Sequence, residues 1–360
     1  MTFPIELDPY VQLSLDGHWR HPLLDESILP EDPLHIALSA WKAGKEPSFD
    51  IQTKFAHRGW AGPSLGKEAG RRFVVRYVNL EATARCNQRC NFCPVSISQR
   101  PPHVMSMKRF EGIVGDLEFA KDDIKGVFLF GYNEPSLDLS LLERVAVLRQ
   151  NNLPVALNTN GSGFAPKLTD ALRSIGGIAH LSVNLSTLDP EKYRLTRGHN
   201  HLDQVLRNLD YLSKAPVAER MVIAVLDPNP DALASSAAAI AERFQDSPFH
   251  VQAYPTMNRA GLVPEAGKAY NHKGLMGCDC MGSRAVEHIQ IDAEGNVILC
   301  CQDYHSEARM GHWQQPGDMM RILSSDRARD LRNLVHGVVE APDDFLCRKC
   351  EFALVEKPVE

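Results

Sequence analysis

From residue 71 onward the apolar positions follow two alternating rhythms. Short β-branched and aromatic runs lie at 72–82 (RFVVRYVNLEA), 126–131 (GVFLFG), 154–159 (PVALNT), 180–186 (HLSVNLS), 220–226 (RMVIAVL) and 250–255 (HVQAYP). Between them lie amphipathic stretches at 107–121, 139–150, 168–176, 202–214 and 231–244. The first pattern predicts strands and the second helices. Strand followed by helix, repeated along the chain, argues a parallel sheet with right-handed crossovers. Six such units are too few to close an eight-stranded barrel. The expected fold is therefore α/β, an open partial (β/α)6 TIM-like barrel with its chemistry at the C-terminal strand ends. Cys86, Gly131 and Asn158 fall at or just after such ends.

After Gly261 the rhythm changes. EHIQIDAEGNVILCC reads as a hairpin turning at Ala293-Glu294-Gly295, followed by a helix at about 319–335 and then CRKC. The first seventy residues are irregular and Pro-containing, with one short helix expected at 35–44. Three parts result: an extension at 1–70 with no role assigned, the barrel at 71–260, and a small hairpin-and-helix domain at 261–360.

The 360 residues are 44% hydrophobic with a net charge of −6, and Lys and Arg are dispersed rather than clustered. No nucleic-acid surface is expected. The N-terminus shows neither a basic n-region nor an apolar h-region, and no apolar run has the length of a membrane span. A cytoplasmic location is expected, where thiols stay reduced. The nine cysteines then need a reason other than disulfides.

They form two groups. Cys86, Cys90 and Cys93 share one loop; Cys278, Cys280, Cys300, Cys301, Cys347 and Cys350 lie in the last third. Three thiolates can each hold one corner iron of a cubane, leaving the fourth iron without a protein ligand. The alternative is zinc with a distant fourth ligand; the nearest histidine, His103, lies beyond Pro101-Pro102. In the second group, Cys347-x-x-Cys350 with two further cysteines suits a fully ligated cluster or a zinc knuckle. Alternation along a strand points Cys301 away from the face that Cys300 uses, so the two do not bind one cluster comfortably.

CxxxCxxC after the first barrel strand resembles the radical S-adenosylmethionine (radical SAM) family, with Phe92 at its usual aromatic position. GYNEP (131–135) resembles that family's glycine-rich GGEP segment, with Asn133 departing from the second glycine. NTNG (158–161) resembles the third-strand turn and NRAG (258–261) the exit from the sixth strand. The resemblance implies that Glu134 and the backbone around Gly131 meet the methionine amino group, with Asn133 among the cofactor-binding residues. It also implies that Asn158, Ser182 and Asn184 lie near the cofactor, the latter two at positions that often touch the ribose, and that Arg197 approaches the carboxylate. GNVILCCQD resembles the segment of SPASM and twitch extensions in which a glycine precedes a cluster cysteine by five positions. That favours Cys300, and with Cys347, Cys350 and one of Cys278 or Cys280 (Cys280 preferred) it implies an auxiliary cluster of the shorter, twitch type.

The implied cofactors are two 4Fe-4S clusters and S-adenosylmethionine, whose reductive cleavage gives a 5′-deoxyadenosyl radical. The implied partners are a small-molecule or peptide substrate and a flavodoxin- or ferredoxin-type electron donor. The leading expectation is an oxidoreductase dehydrogenating a small polar, cyclitol- or sugar-like compound. Alternatives are an epimerase in which Cys301 donates hydrogen, a modifier of ribosomal peptides, and a zinc-stabilised binding protein without catalysis. Asp303, Tyr304 and His305 offer acid–base groups or plain loop polarity.

Overall fold

The computed structural model describes residues 8–24, 26–43, 45, 54, 58, 60 and 70–355. Its N-terminal part is an antiparallel sheet of β1 (Gln12–Leu13), β2 (Trp19–His21) and β3 (Glu26–Ile28), followed by α1 (Pro33–Lys42). The Asp32 carboxylate accepts from Leu34 N and Pro33 opens the helix, so the expected short helix begins two residues earlier than its apolar pattern. Val11, Trp19, Ile28, Leu34, Leu38 and Trp60 make a small core of their own.

The barrel follows, with β4 (Tyr77–Leu80), α2 (Met107–Asp116), β5 (Gly126–Phe128), α3 (Leu141–Gln150), β6 (Val155–Thr159) and α4 (Pro166–Ser174). It continues through β7 (Ile178–Asn184), α5 (Pro190–Arg197), α6 (Leu202–Lys214), β8 (Ala218–Asp227), α7 (Pro230–Arg243) and β9 (Phe249–Pro255). Strands β4 to β9 are parallel and adjacent in chain order, as the repeated strand–helix pattern predicts. Their helix-facing side chains, including Val78, Val127, Leu157, Leu181 and Ile223, are fully buried. Helix α5 is not part of the periodic pattern. Only Tyr193 and Arg197 of its eight residues are buried, and it is set instead by Asp189, which accepts from Glu191 N and Lys192 N, by Pro190 and by left-handed Gly198.

The C-terminal segment contains β10 (Leu275–Cys278), α8 (Arg284–Glu287), β11 (His288–Ile291), β12 (Asn296–Ile298) and β13 (Arg309–His312). It ends with α9 (Asp318–Leu323), α10 (Asp326–Val335) and β14 (Ala353–Val355). The hairpin β11–β12 forms where expected, with Gly295 at φ +93° in its turn. The single expected helix at 319–335 is two, because the Ser325 hydroxyl accepts from Ala328 N and caps a second start. The hairpin does not stand apart. Strand β11 pairs parallel with β4, His288 opposite Tyr77 through Ile291 opposite Leu80, so one sheet runs β13-β12-β11-β4-β5-β6-β7-β8-β9. Extending the sheet covers the β4 edge, which an open barrel otherwise leaves unpaired.

The N-terminal sheet leans on this segment. The Tyr10 ring stacks on His336 at 4.1 Å, Gln12 Nε2 donates to the Cys278 carbonyl at 3.2 Å, and Arg20 reaches Glu287 at 3.1 Å. Among the described residues no helix is long and apolar enough to cross a membrane.

Asp116 at the end of α2 holds the segment from the barrel side. Its carboxylate accepts from Trp313 Nε1 at 2.8 Å, Gly317 N at 2.7 Å and Met319 N at 3.1 Å. Replacing Asp116 by Ala strands the indole N–H of Trp313, which is 4% exposed. The expected loss is about 1–3 kcal/mol of unfolding free energy, read by denaturant titration.

Candidate active site

Residues 84–98 cross the C-terminal mouth of the barrel, and hydrogen bonds with three neighbouring segments fix their path. Arg89 N donates to Arg197 O and Asn91 N to Thr196 O, both at 3.0 Å, which ties the loop to the end of α5. Glu134 N donates to Arg85 O at 2.8 Å, tying the GYNEP segment to the same loop. Asn160 Nδ2 donates to Asn87 Oδ1 at 2.8 Å, and Asn87 Nδ2 to Ser162 Oγ at 3.0 Å, adding the turn after β6.

These loops enclose a cavity whose lining includes Cys86, Cys90 and Cys93, with Phe92, Gly131, Asn133, Glu134, Asn158, Asn184, Arg197 and Cys301. All but one of the residues anticipated for this mouth are thus brought together. The exception is Ser182, which does not line it. Ser182 and Asn184 share a face of β7, but Ser182 sits two residues deeper, roughly 6–7 Å toward the closed end of the barrel. Thr159, Asn160, Tyr132 and Arg259 also line the cavity and were not anticipated. Tyr132 occupies a position inside the glycine-rich segment, and Arg259 lies within NRAG, so both motifs carried the address without the role.

Gly131 has a steric reason. A Cβ there would lie 2.7 Å from Oε1 of Glu81. That carboxylate accepts from Tyr132 N at 2.7 Å and from Arg100 at 2.5 Å. Glu134 is 1% exposed and is occupied mostly by its own protein. Oε1 accepts from Ser136 N at 3.1 Å, Ser136 Oγ at 2.6 Å and Thr159 Oγ1 at 2.6 Å, and Oε2 from Asn160 N at 2.7 Å. Burial pushes its carboxyl up from the usual range, and these donors pull against it. Of about four acceptor sites on a carboxylate, one on Oε2 remains.

Arg197 is 1% exposed and donates to Asn184 Oδ1 at 2.6 Å and to Ser186 Oγ at 2.7 Å, with its Cζ 4.9 Å from the Phe92 ring centroid. Both oxygens are neutral, and its Nε has no hydrogen-bond partner in the protein. Its Nη1 donates to Cys90 Sγ at 3.7 Å; a buried guanidinium with no carboxylate partner is suited to an anionic ligand group. Arg259 also leaves a buried Nε without a partner beside the same cavity.

Asp303, Tyr304 and His305 sit elsewhere. The Asp303 carboxylate accepts from Glu307 N and Ala308 N and so closes its own loop. Tyr304 and His305 line a neighbouring cleft with Arg100, His103 and Asp292. Tyr304 lies under Arg100 and donates to the Ser98 carbonyl at 2.5 Å.

A second cavity lies behind the first. Five thiols line it, Cys278, Cys280, Cys300, Cys347 and Cys350, with Leu299, Val335, Leu346 and Phe352. Cys300 and Cys301 follow β12 by two and three residues. Although the strand has ended, they still part, Cys300 into the second cavity and Cys301 into the first. Tyr132 fixes this dividing segment by donating its hydroxyl to the Cys301 carbonyl at 2.6 Å.

Burial pushes the Cys86 and Cys350 thiols up to about 12 and Cys280 up to about 11. Cys300 and Cys347 are also raised by burial, and by neighbouring thiols. Such thiols stay protonated unless a cation takes the proton's place. Among the described residues no three thiol, imidazole or carboxylate groups converge on a single metal ion. The cysteines line cavities instead, an arrangement suited to a multi-iron cluster.

Residues 80–232 match the profile of the Radical SAM superfamily, and residues 280–351 that of the SPASM iron–sulfur cluster-binding domain. A GTP 3',8-cyclase of Haemophilus ducreyi is 31% identical over 142 residues, covering 37% of this chain and 39% of the relative. The chain thus spans about two fifths of that relative's length. The crystal structure of BtrN in complex with AdoMet and 2-DOIA superposes with a TM-score of 0.52 at 17% identity, over 79% of this chain and 96% of BtrN. That of Streptococcus suis SuiB bound to precursor peptide SuiA superposes with a TM-score of 0.51 at 13% identity, over 96% of this chain and 91% of SuiB. At such identities these likenesses establish the fold.

Two substitutions test the mouth. Glu134→Gln places an amide N–H₂ among donors, and should cost about 1–3 kcal/mol of stability by chemical denaturation. Gly131→Ala forces Glu81 from its place, and should weaken S-adenosylmethionine binding at least tenfold by equilibrium dialysis while unfolding stability changes less.

Proposed function

Because the chain belongs to the radical SAM superfamily and carries a C-terminal SPASM domain, we propose that it is an oxidoreductase that removes two hydrogens from a small polar substrate. In this reading Cys86, Cys90 and Cys93 hold the first cluster. Arg197 receives the methionine carboxylate of S-adenosylmethionine. The open site on Glu134 and the backbone at Gly131 receive its amino group. Cys280, Cys300, Cys347 and Cys350 hold the second cluster, with Cys278 as the fifth thiol of that cavity. Bound in the first cavity, the cluster and S-adenosylmethionine supply a 5′-deoxyadenosyl radical.

One observation carries the proposal. The consecutive residues Cys300 and Cys301 line different cavities, so the thiol-lined second cavity backs directly onto the first. That proximity suits a reaction in which an electron leaves the substrate radical. Loss of a hydrogen atom to the radical, a proton to solvent and an electron to the second cavity turns an alcohol or amine carbon into a ketone or imine. BtrN, solved with AdoMet and 2-DOIA, is the neighbour that supports a small-molecule substrate. The protein's part is to orient the two ligands and keep water from the radical. A flavodoxin- or ferredoxin-type protein would supply the initiating electron.

Cys301 supports a second reading. It is 8% exposed and its side chain faces the first cavity, where an epimerase would need a hydrogen donor. Anaerobically reconstituted protein should hold about eight irons per chain, four per cubane. Replacing Cys86, Cys90 and Cys93 together by Ala should leave about four and abolish 5′-deoxyadenosine formation. In metabolite extracts, the dehydrogenase reading expects a product two mass units below its substrate, still formed by Cys301→Ala. An inverted carbon carrying solvent deuterium, lost in Cys301→Ala, would instead establish the epimerase. Zinc in place of iron would contradict both.

A further inference from the structure

Arg284 is the one cationic side chain in the lining of the second cavity, whose other members are the five thiols, Gln302 and apolar residues. It opens α8, directly after a turn in which Met281 and Gly282 adopt positive φ of 56° and 87°. The turn sets its side chain among thiols. Burial works against its charge, and the neighbouring thiols of Cys301, Cys280 and Cys300 favour it. Its Nε is buried without a hydrogen-bond partner, and no carboxylate among the described residues pairs with it. Arg20 and Arg76 close by take Glu287, so the acid nearest in sequence is already engaged.

A guanidinium that lines a thiol-walled cavity with its Nε buried and no anion beside it is unfavourable. The arrangement makes sense when the cavity itself becomes anionic, as four cysteine thiolates around iron and sulfide make it. Net charge and hydrogen bonds to sulfur are main determinants of an iron–sulfur potential.

We propose that Arg284 is a positioning residue that supplies the fixed counter-charge of the auxiliary cluster and raises its reduction potential. It stabilises the reduced, more negative state on the side facing Cys301 and the first cavity. The auxiliary cluster is thereby poised to accept the electron leaving the substrate. This rests on the reading that the second cavity holds an iron–sulfur cluster.

The test uses the full chain with Cys86, Cys90 and Cys93 replaced by Ala, so that the auxiliary cluster alone is observed. Its midpoint is read by EPR-monitored redox titration. Arg284→Gln and Arg284→Met should each lower the equilibrium constant for reduction tenfold or more, a shift of at least 59 mV for one electron. Arg284→Lys, which keeps the charge, should stay within half of that shift. An unchanged midpoint in either neutral variant that retains four irons overturns the proposal. So does the loss of iron from both neutral variants while Arg284→Lys keeps it, since the charge would then serve assembly rather than potential. If the parent triple variant holds no cluster, the reading of the second cavity falls and this proposal with it.

Discussion

The arrangement depends on one short stretch of chain, the exit from β12, where Cys300 and Cys301 must face opposite ways. Their side chains diverge although the strand has ended at Ile298, so a single segment walls two cavities at once. It works only if that segment is held against the barrel mouth. The parallel pairing of β11 with β4 fixes it from below, and the Tyr132 hydroxyl on the Cys301 carbonyl fixes it from the mouth. The auxiliary domain is therefore built onto the catalytic sheet rather than tethered beside it. The separation between the two cavities is set by backbone hydrogen bonds.

Charge follows the same division. The first cavity has Arg197 and Arg259 on its walls and the second has Arg284, each with a buried Nε that the protein leaves unpartnered. Elsewhere the buried arginines have oxygen partners, even where one nitrogen is left over, as at Arg100 and Arg144. Arg144 binds Asp138, and Arg332 donates to the carbonyls of Ala285, Gly70 and Leu323. Among the described residues the three arginines that face the thiol-lined cavities form no ion pair with a carboxylate, as expected where their partners are anionic ligands. Glu134 does the opposite: its carboxylate uses most of its capacity to bind its own loop to the turn after β6.

Much of this was legible in the sequence because it is local. The six barrel strands, the hairpin turn at Gly295 and the cysteine loop each follow from composition or spacing within a dozen residues. Helix α5 was not, since its exposed charged face gives no apolar rhythm and only Asp189-Pro190 at its start and Gly198 at its end mark it. The docking of β11 on β4 joins residues some two hundred positions apart, and no property of a four-residue strand names its partner. Ser182 lies deeper than the cavity lining, because alternation gives the face of a strand and not its level. Tyr132, Arg259 and Arg284 were invisible as site residues, since an arginine is known to lack a partner only once its surroundings are assembled.

The central claim is that two separate iron–sulfur sites lie on either side of the Cys300–Cys301 segment. Anomalous scattering above and below the iron edge, from crystals grown without oxygen, tests it most directly. The account predicts two iron peaks, one bounded by Cys86, Cys90 and Cys93 and the other by Cys300, Cys347 and Cys350. A single peak, or anomalous signal at the zinc edge in the second cavity, would contradict it.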